Sequence, residues 1–510
     1  MASPTIVKED ILMELTQALQ DLKKLQETMH AYNHAQGVIY LDSATCAPRG
    51  SAQARSVTLG ILSEKAYQLF VNDETRALLT ELAGHKAELT PAQARQVELL
   101  TEDLDKMTRI PIEEYVAYTQ LTNEAENCWY TAKEQNDYAS FRPYLEKLVD
   151  FNRRFAAYKD AAKPAYNVLL DEYEKGMDMD TLDRFFAALR QDIVPLLAQV
   201  KDKPLEDGFL YKHYPQAQQA LLSKELMEVM GLDPQFFALA TSEHPFTTGF
   251  NRTDVRITTH YHEDALASSL FSVIHEGGHA LYDHGVAEEY QYTCLADGAS
   301  MGVHESQSRF YENIVGRSEA FAEFVLPRLQ KLFPRQLEGI SPRDFYRAVN
   351  KAQPSLIRTE ADELTYSLHV MVRYELEKRL FAGTLDTRDL PGAWNALYKE
   401  YLGVDVPSDT RGVLQDTHWA GGMFGYFPTY ALGSAYSAQI LHAIEKEIAV
   451  EDLVRKGQLA PLTAWLGEKI HRHGRMLDPG KLLEAATGEP FDAKYYVAYL
   501  TKKMKDVYGL

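Results

Sequence analysis

Apolar residues recur along the chain mainly at helical spacing. Leu12, Leu15, Leu19, Leu22, Leu25 and Met29 follow at steps of three and four, with Glu14, Gln17, Lys23 and Lys24 on the other faces. That is the stripe of an amphipathic helix. The same period runs through 52–84, 91–106, 111–136, 140–174 and 179–201, so the first two hundred residues read as a helical array. The texture changes over 203–262. KPLEDGFLYKHYP is irregular and aromatic, and then Val255, Ile257 and Thr259 alternate with Arg256, Thr258 and His260, the period of a strand. Helical spacing returns at 264–285, 303–316, 318–332, 343–352, 357–382, 391–402 and 433–450, whereas 403–432, rich in Gly and aromatics, reads as structured loops. The expected fold is mainly α. A boundary near 205 divides it into lobes 1–205 and 206–510, unless the two are one continuous domain.

Composition narrows the function classes. Lys and Arg number 53 against 73 Asp and Glu, a formal charge of −20 over 510 residues. No long basic run is present, which argues against a nucleic-acid binder. Cys46, Cys128 and Cys294 are odd in number and far apart. They form neither a disulfide framework nor a metal knuckle, and they fit a reducing compartment. The start, MASPTIVKEDILMELTQALQ, lacks the basic and apolar regions of a signal peptide. No apolar run reaches membrane-spanning length. A cytoplasmic protein without a membrane span is the expectation.

The chemistry concentrates in SVIHEGGHALYDHG, residues 272–285. His275 and His279 lie four apart on a helix, which sets them about 40° apart in direction and about 6 Å apart in height. Both imidazoles then reach one metal ion, and Glu276 beside them is placed to hold a water on that metal. This is the HExxH arrangement of zinc peptidases. Leu266, Leu270, Ile274 and Leu281 give the segment a helical apolar face. Gly277 and Gly278 each cost about 1 kcal/mol against Ala inside a helix, so they signal close approach of another backbone or of substrate. A catalytic zinc needs a third protein ligand and an open position. The extended HExxHxxGxxH form is excluded, because Tyr282 and Gly285 occupy its positions. Glu305, 26 residues after His279, leaves room for a loop and a second helix. Glu288, Glu289 and Asp297 are its rivals.

Further short motifs follow in order: His244-Pro245-Phe246; Asp254 to Thr258 around Arg256; His304-Glu305-Ser306-Gln307; Ile357-Arg358 to Asp362; and Gly412 to Trp419 with Gln415, Asp416 and His418. With HEGGH, they resemble the signature set of the carboxypeptidase Taq family. The resemblance implies an almost wholly helical fold, with a small sheet beside the metal helix and a deep groove that helices of 1–205 would roof. It implies release of C-terminal residues from peptides with a free C-terminus, with broad specificity and proline disfavoured. It also implies a zinc cofactor replaceable by cobalt, and a homodimer.

Within that reading His275, His279 and Glu305 hold the zinc and Glu276 is the general base. Tyr426, Tyr430 and His418 are candidates for oxyanion stabilisation, although a tyrosine pair in a Gly-rich loop commonly serves packing. An exopeptidase also needs a cation for the terminal carboxylate, and a guanidinium fork suits both oxygens. Arg358 is the first candidate, then Arg256 and Arg411. The competing role for Arg358 is an ion pair with Glu360 or Asp362. His244 and Asp254 are assigned to orienting loops or histidines, and Asp283 and Asp416 to accepting the second N–H of a ligand histidine. Two other readings share the metal motif: a zinc endopeptidase or dipeptidase, and a non-catalytic helical interaction protein with a structural zinc.

Overall fold

The computed structural model describes residues 4–510, with side chains from Glu14 onward. The side chain of Leu12 and the first three residues of the leader reading lie outside the described residues. Helix α1 (Pro4–Thr45) runs unbroken. The expected helix over 52–84 is two, α2 (Ala52–Phe70) and α3 (Asp73–Gly84), because Asn72 leaves the helix and caps the amide of Thr75. α4 (Pro91–Thr108) starts on a capping box of Thr90 and Gln93. α5 (Ile112–Gln135) follows, and Pro164 separates α6 (Tyr138–Asp160) from α7 (Ala165–Tyr173) where one long helix was expected. α8 (Met179–Val200) ends the array.

After α9 (Gln216–Met230) come three strands, β1 (Phe237–Thr241), β2 (Thr247–Asn251) and β3 (Asp254–Thr259). β3 is central, parallel to β1 and antiparallel to β2, with a bulge near Gly249. The alternation read at 255–259 is this central strand, and α10 (Leu266–Gly285) packs on β2 and β3. So the small sheet does lie beside the HEGGH helix.

The expected helix 303–316 is α11 (Met301–Arg309) continued by a π-helical turn over Phe310–Gly316. Such wide turns recur at functional sites. α12 (Glu319–Leu332) and α13 (Pro342–Val349) lead to α14 (Glu363–Phe381), which starts after 357 because Asp362 accepts from Leu364 and Thr365. α15 (Leu390–Leu402) precedes α16 (Pro428–Ile444), whose first turn falls in the stretch read as loop. Four helices complete the chain: α17 (Val450–Arg455), α18 (Ala460–Lys469), α19 (Pro479–Thr487) and α20 (Lys494–Tyr508). α14 and α16 are buried on nearly every face, the mark of central helices.

One hydrophobic core runs from Leu121 to Tyr508 and continues across residue 205. A smaller one joins Ala18 and Leu22 of α1 to Leu79 and Leu82 of α3 and Val97 and Leu100 of α4. Arg95 ties that smaller unit to the rest at Asp478 (2.6 Å), as does Gln26 to the amide of Cys294 (2.8 Å). Between α1 and the β2–α10 edge lies a cavity of about 500 Å³, lined by His30, His34, Phe250, Asp283 and His304.

Candidate metal centre and carboxylate pocket

The two glycines of the metal helix have separate reasons. A Cβ on Gly278 would lie 2.7 Å from the Gln307 carbonyl oxygen and 2.8 Å from Ser308 Cα, so α10 and α11 touch backbone to backbone. A Cβ on Gly277 would strike Met230 of α9. On the far side of α11, a Cβ on Gly433 of α16 would lie 2.5 Å from Glu305 Cγ. α11 is therefore held by two glycine contacts, at Gln307–Ser308 and at Glu305, and carries Glu305 to the histidines.

Among the described residues, His275, His279 and Glu305 bring one ligand atom each within 4.8 Å of one another. Glu305 Oε2 lies 3.7 Å from His275 Nε2 and 3.5 Å from His279 Nε2. Tetrahedral ligands at zinc distances sit about 3.3 Å apart, so the donor set fits a divalent cation. The outer hydrogen bonds favour the same result. His275 Nδ1 donates to Glu312 Oε2 at 2.9 Å, which leaves the Nε2 lone pair facing inward. His304 Nε2 donates to Asp283 Oδ1 at 3.0 Å, and its Nδ1 lies 2.6 Å from His279 Nδ1; with His304 neutral, His279 Nδ1 is the donor there and its Nε2 lone pair also faces inward. Arg309 Nε takes Glu305 Oε1 at 2.7 Å and leaves Oε2 to the histidines. Burial would push the Glu305 carboxyl up, but Arg309, His275 and His279 outweigh it and hold it well below the carboxylate range. Glu312 is likewise held low against its burial by Arg309, His275 and Arg317. Glu276 is buried, and its Oε2 accepts from Thr247 Oγ1 of β2 at 2.6 Å.

A second cluster joins the turn at Arg358, α14, the 403–427 loop and the first turn of α16. Arg358 pairs with neither Glu360 nor Asp362. Its Nε and Nη2 both meet Asp416 Oδ1, at 3.1 and 3.0 Å, and its Nη1 meets the Tyr366 hydroxyl at 3.2 Å. The guanidinium faces the Tyr430 ring at 4.9 Å. Tyr366 also carries Arg309 over its ring at 4.6 Å, so one tyrosine links Arg358 to the residue that holds Glu305. Three of the five N–H groups of Arg358 are engaged. Tyr426 and Tyr430 meet edge to face at 5.2 Å, and the Tyr430 hydroxyl lies 3.5 Å from His418 Nε2. Burial lowers His418 to about 4, with Arg358 and Arg373 adding to the effect, so its imidazole is neutral.

Several sequence assignments change. Asp416 serves two arginines, Arg358 and Arg373, and no ligand histidine. Asp283 reaches His279 only through His304. Asp254 closes a bidentate pair with Arg256, both bonds 2.8 Å, so that fork is already filled by a carboxylate. The Arg411 side chain is exposed, and its contribution is a carbonyl that accepts from Gln415. His244 is exposed in the β1–β2 connection, where its carbonyl accepts from Ser242. Neither orients a ligand histidine. Sequence reasoning missed Glu312, Arg309, Tyr366, Arg373 and Thr247. Glu312 follows Glu305 by seven residues, two helical turns on one face, a signal that was available.

The sequence profile of the Carboxypeptidase Taq (M32) metallopeptidase family matches residues 21–504. The chain belongs to this family. It is 39% identical to Carboxypeptidase 1 of Bacillus subtilis, over 98% of this chain and 100% of that protein. It is 38% identical to Thermostable carboxypeptidase 1 of Thermus thermophilus, over 92% and 94% of the two chains. The solved M32 carboxypeptidase from Deinococcus radiodurans superposes with a TM-score of 0.94 at 36% identity, covering 97% of this chain and 100% of that one. As a carboxypeptidase Taq family member, the chain is a metal-dependent peptide hydrolase acting on peptides. The reading as a non-catalytic interaction protein is set aside. Among the described residues no helix is long and apolar enough to cross a membrane.

Proposed function

We propose that this carboxypeptidase uses zinc, held by His275, His279 and Glu305, to release C-terminal residues with broad specificity and with proline disfavoured. Zinc at such a site supplies Lewis acidity, which acidifies water and polarises a carbonyl; cobalt has compatible ligand chemistry. Glu276, fixed by Thr247, takes the water proton and delivers it to the leaving amine. Tyr426, Tyr430 and the neutral His418 are the donors available to a developing oxyanion. The observation that carries the exopeptidase reading is Arg358, buried to 5% exposure with two N–H groups unengaged, one tyrosine away from the residue that fixes Glu305. A guanidinium so placed takes the terminal carboxylate and sets the last peptide bond over the metal. The chain acts in this reading as a cytoplasmic homodimer, with helices of 1–205 roofing the groove of the catalytic part 206–510. Glu276→Gln tests the base. Metal content stays at the wild-type level while kcat falls by about 100-fold or more; activity retained with metal bound would overturn this mechanism.

A further inference from the structure

Arg358 is held by an acid, and an acid that holds an arginine also cancels its charge. The chain resolves this with a second guanidinium. Arg373 of α14 is wholly buried, at 0% exposure, and every one of its five N–H groups has an acceptor. Nε and Nη2 meet Asp416 Oδ2, the other Nη2 proton goes to Gln415 Oε1 at 2.7 Å, and Nη1 serves the His369 carbonyl at 2.7 Å and the Tyr398 hydroxyl at 3.4 Å. Arg373 therefore has nothing left to offer a substrate, whereas Arg358 has two N–H groups left. The Phe427 ring lies 5.5 Å from the Arg358 guanidinium and 5.3 Å from that of Arg373.

The charges count as follows. Two guanidiniums and one carboxylate leave a net +1 in a buried cluster. By contrast, the one-to-one pair of Arg256 and Asp254 is neutral. The surrounding groups do not cancel the excess. His369 and His418 are both driven to their neutral forms by burial and the arginines. Lys133 adds a further cation, through the Gln415 carbonyl at 2.9 Å. Glu377, the nearby acid on α14, is pushed by burial up to about 7, and its hydrogen bonds come from Trp419, Gly425 and Tyr166, so it pairs with neither guanidinium. A buried uncompensated charge is expensive unless a partner arrives.

We propose that Arg373 is a positioning residue for exopeptidase selectivity: acting through Asp416, it preserves one net positive charge at Arg358 for the terminal carboxylate of the peptide. This rests on the reading of Arg358 given above. In Arg373→Met the cluster becomes neutral, and KM for an N-blocked dipeptide with a free C-terminus rises by about 10- to 100-fold, the worth of one charge-assisted hydrogen bond. Adding Asp416→Asn restores the net +1, and KM recovers by about tenfold or more. Arg373→Lys keeps the charge and stays within about threefold of wild type in KM. Metal content and thermal unfolding are measured on each variant.

A double variant no better than Arg373→Met, or Arg373→Lys as impaired as Arg373→Met, would mean a packing role only and overturn the proposal. If Arg373→Met does not fold, Arg373→Lys decides alone: a KM about tenfold above wild type overturns it. Arg358→Gln separates the two levels. If it raises KM while Arg373→Met does not, this proposal fails and the reading of Arg358 stands. If Arg358→Gln leaves KM unchanged, the carboxylate is recognised elsewhere and the reading itself fails.

Discussion

Replacing Gly278 by Ala sets two local effects against each other. Inside a helix Ala is favoured over Gly by about 1 kcal/mol. At Gly278, though, the new methyl would stand 2.7 Å from the Gln307 carbonyl oxygen and 2.8 Å from Ser308 Cα. Both are backbone atoms of α11, so no side chain can swing aside. The helices must separate by several tenths of an ångström, and overpacking of this kind costs about 1–3 kcal/mol. The expected net effect is destabilisation by up to about 2 kcal/mol. The separation also carries Glu305 away from His275 and His279. Metal–ligand distances tolerate only about 0.2 Å, so metal affinity falls by about 10- to 100-fold. Thermal unfolding in chelator reads the first effect, and competition with a metal-binding dye reads the second. Gly60→Ala is the control. Gly60 is exposed on α2 with nothing within 4 Å of the added methyl, and Ala there stabilises by up to about 1 kcal/mol. If Gly278→Ala behaved like Gly60→Ala and kept wild-type metal affinity, the close contact of α10 and α11 would not be what fixes the metal site.

Two further outcomes follow from the buried carboxylates. Glu312→Gln removes the acceptor of His275 Nδ1 while two arginines compete for the single amide oxygen; metal affinity drops by about 10- to 100-fold in a competition titration, and an unchanged affinity would contradict the role given to Glu312. Glu174 lies buried between α7, α11 and α16, and burial pushes its carboxyl up to about 7 against hydrogen bonds from Ser300, Gly302 and Tyr436. The folded state then binds this proton more tightly than the unfolded chain, so unfolding free energy falls as pH rises from about 4.5 to 7, by ~3 kcal/mol. Urea unfolding in chelator at pH 5 and pH 8 gives a steeper loss for wild type than for Glu174→Gln, and equal losses would refute the assignment.

What could be read from the sequence depended on the kind of signal. Helices with a dry face and a wet face were legible, and so was β3, which alternates because α10 covers one face of the sheet. β1 and β2 were not, because FALAT and TTGFN are short and half covered. Only the first turn of α16 fell in the stretch read as loop, because Pro428, Thr429 and Tyr430 continue the aromatic texture before them and the helix is buried on nearly every face. Within the site, HEGGH and Glu305 followed from local spacing, and Gly278 announced the neighbouring backbone. The partners of Arg358 were out of reach. Asp416 lies 58 residues away along the chain and Arg373 pairs with it across 43, and nothing local marks that union. A trace existed in α14, where His369, Arg373 and Glu377 recur four apart and are all buried, a spacing that places three polar groups on one face.

The central claim is that the metal centre and Arg358 together make an enzyme that counts from the C-terminus. Its most direct test is mass spectrometry over time on one unstructured peptide, offered with a free C-terminus and as its C-terminal amide, to the metal-loaded protein. The account predicts a ladder losing single residues from the free C-terminus, pausing where proline is reached, and an amide that stays largely intact. Internal fragments, or equal consumption of both forms, would contradict it.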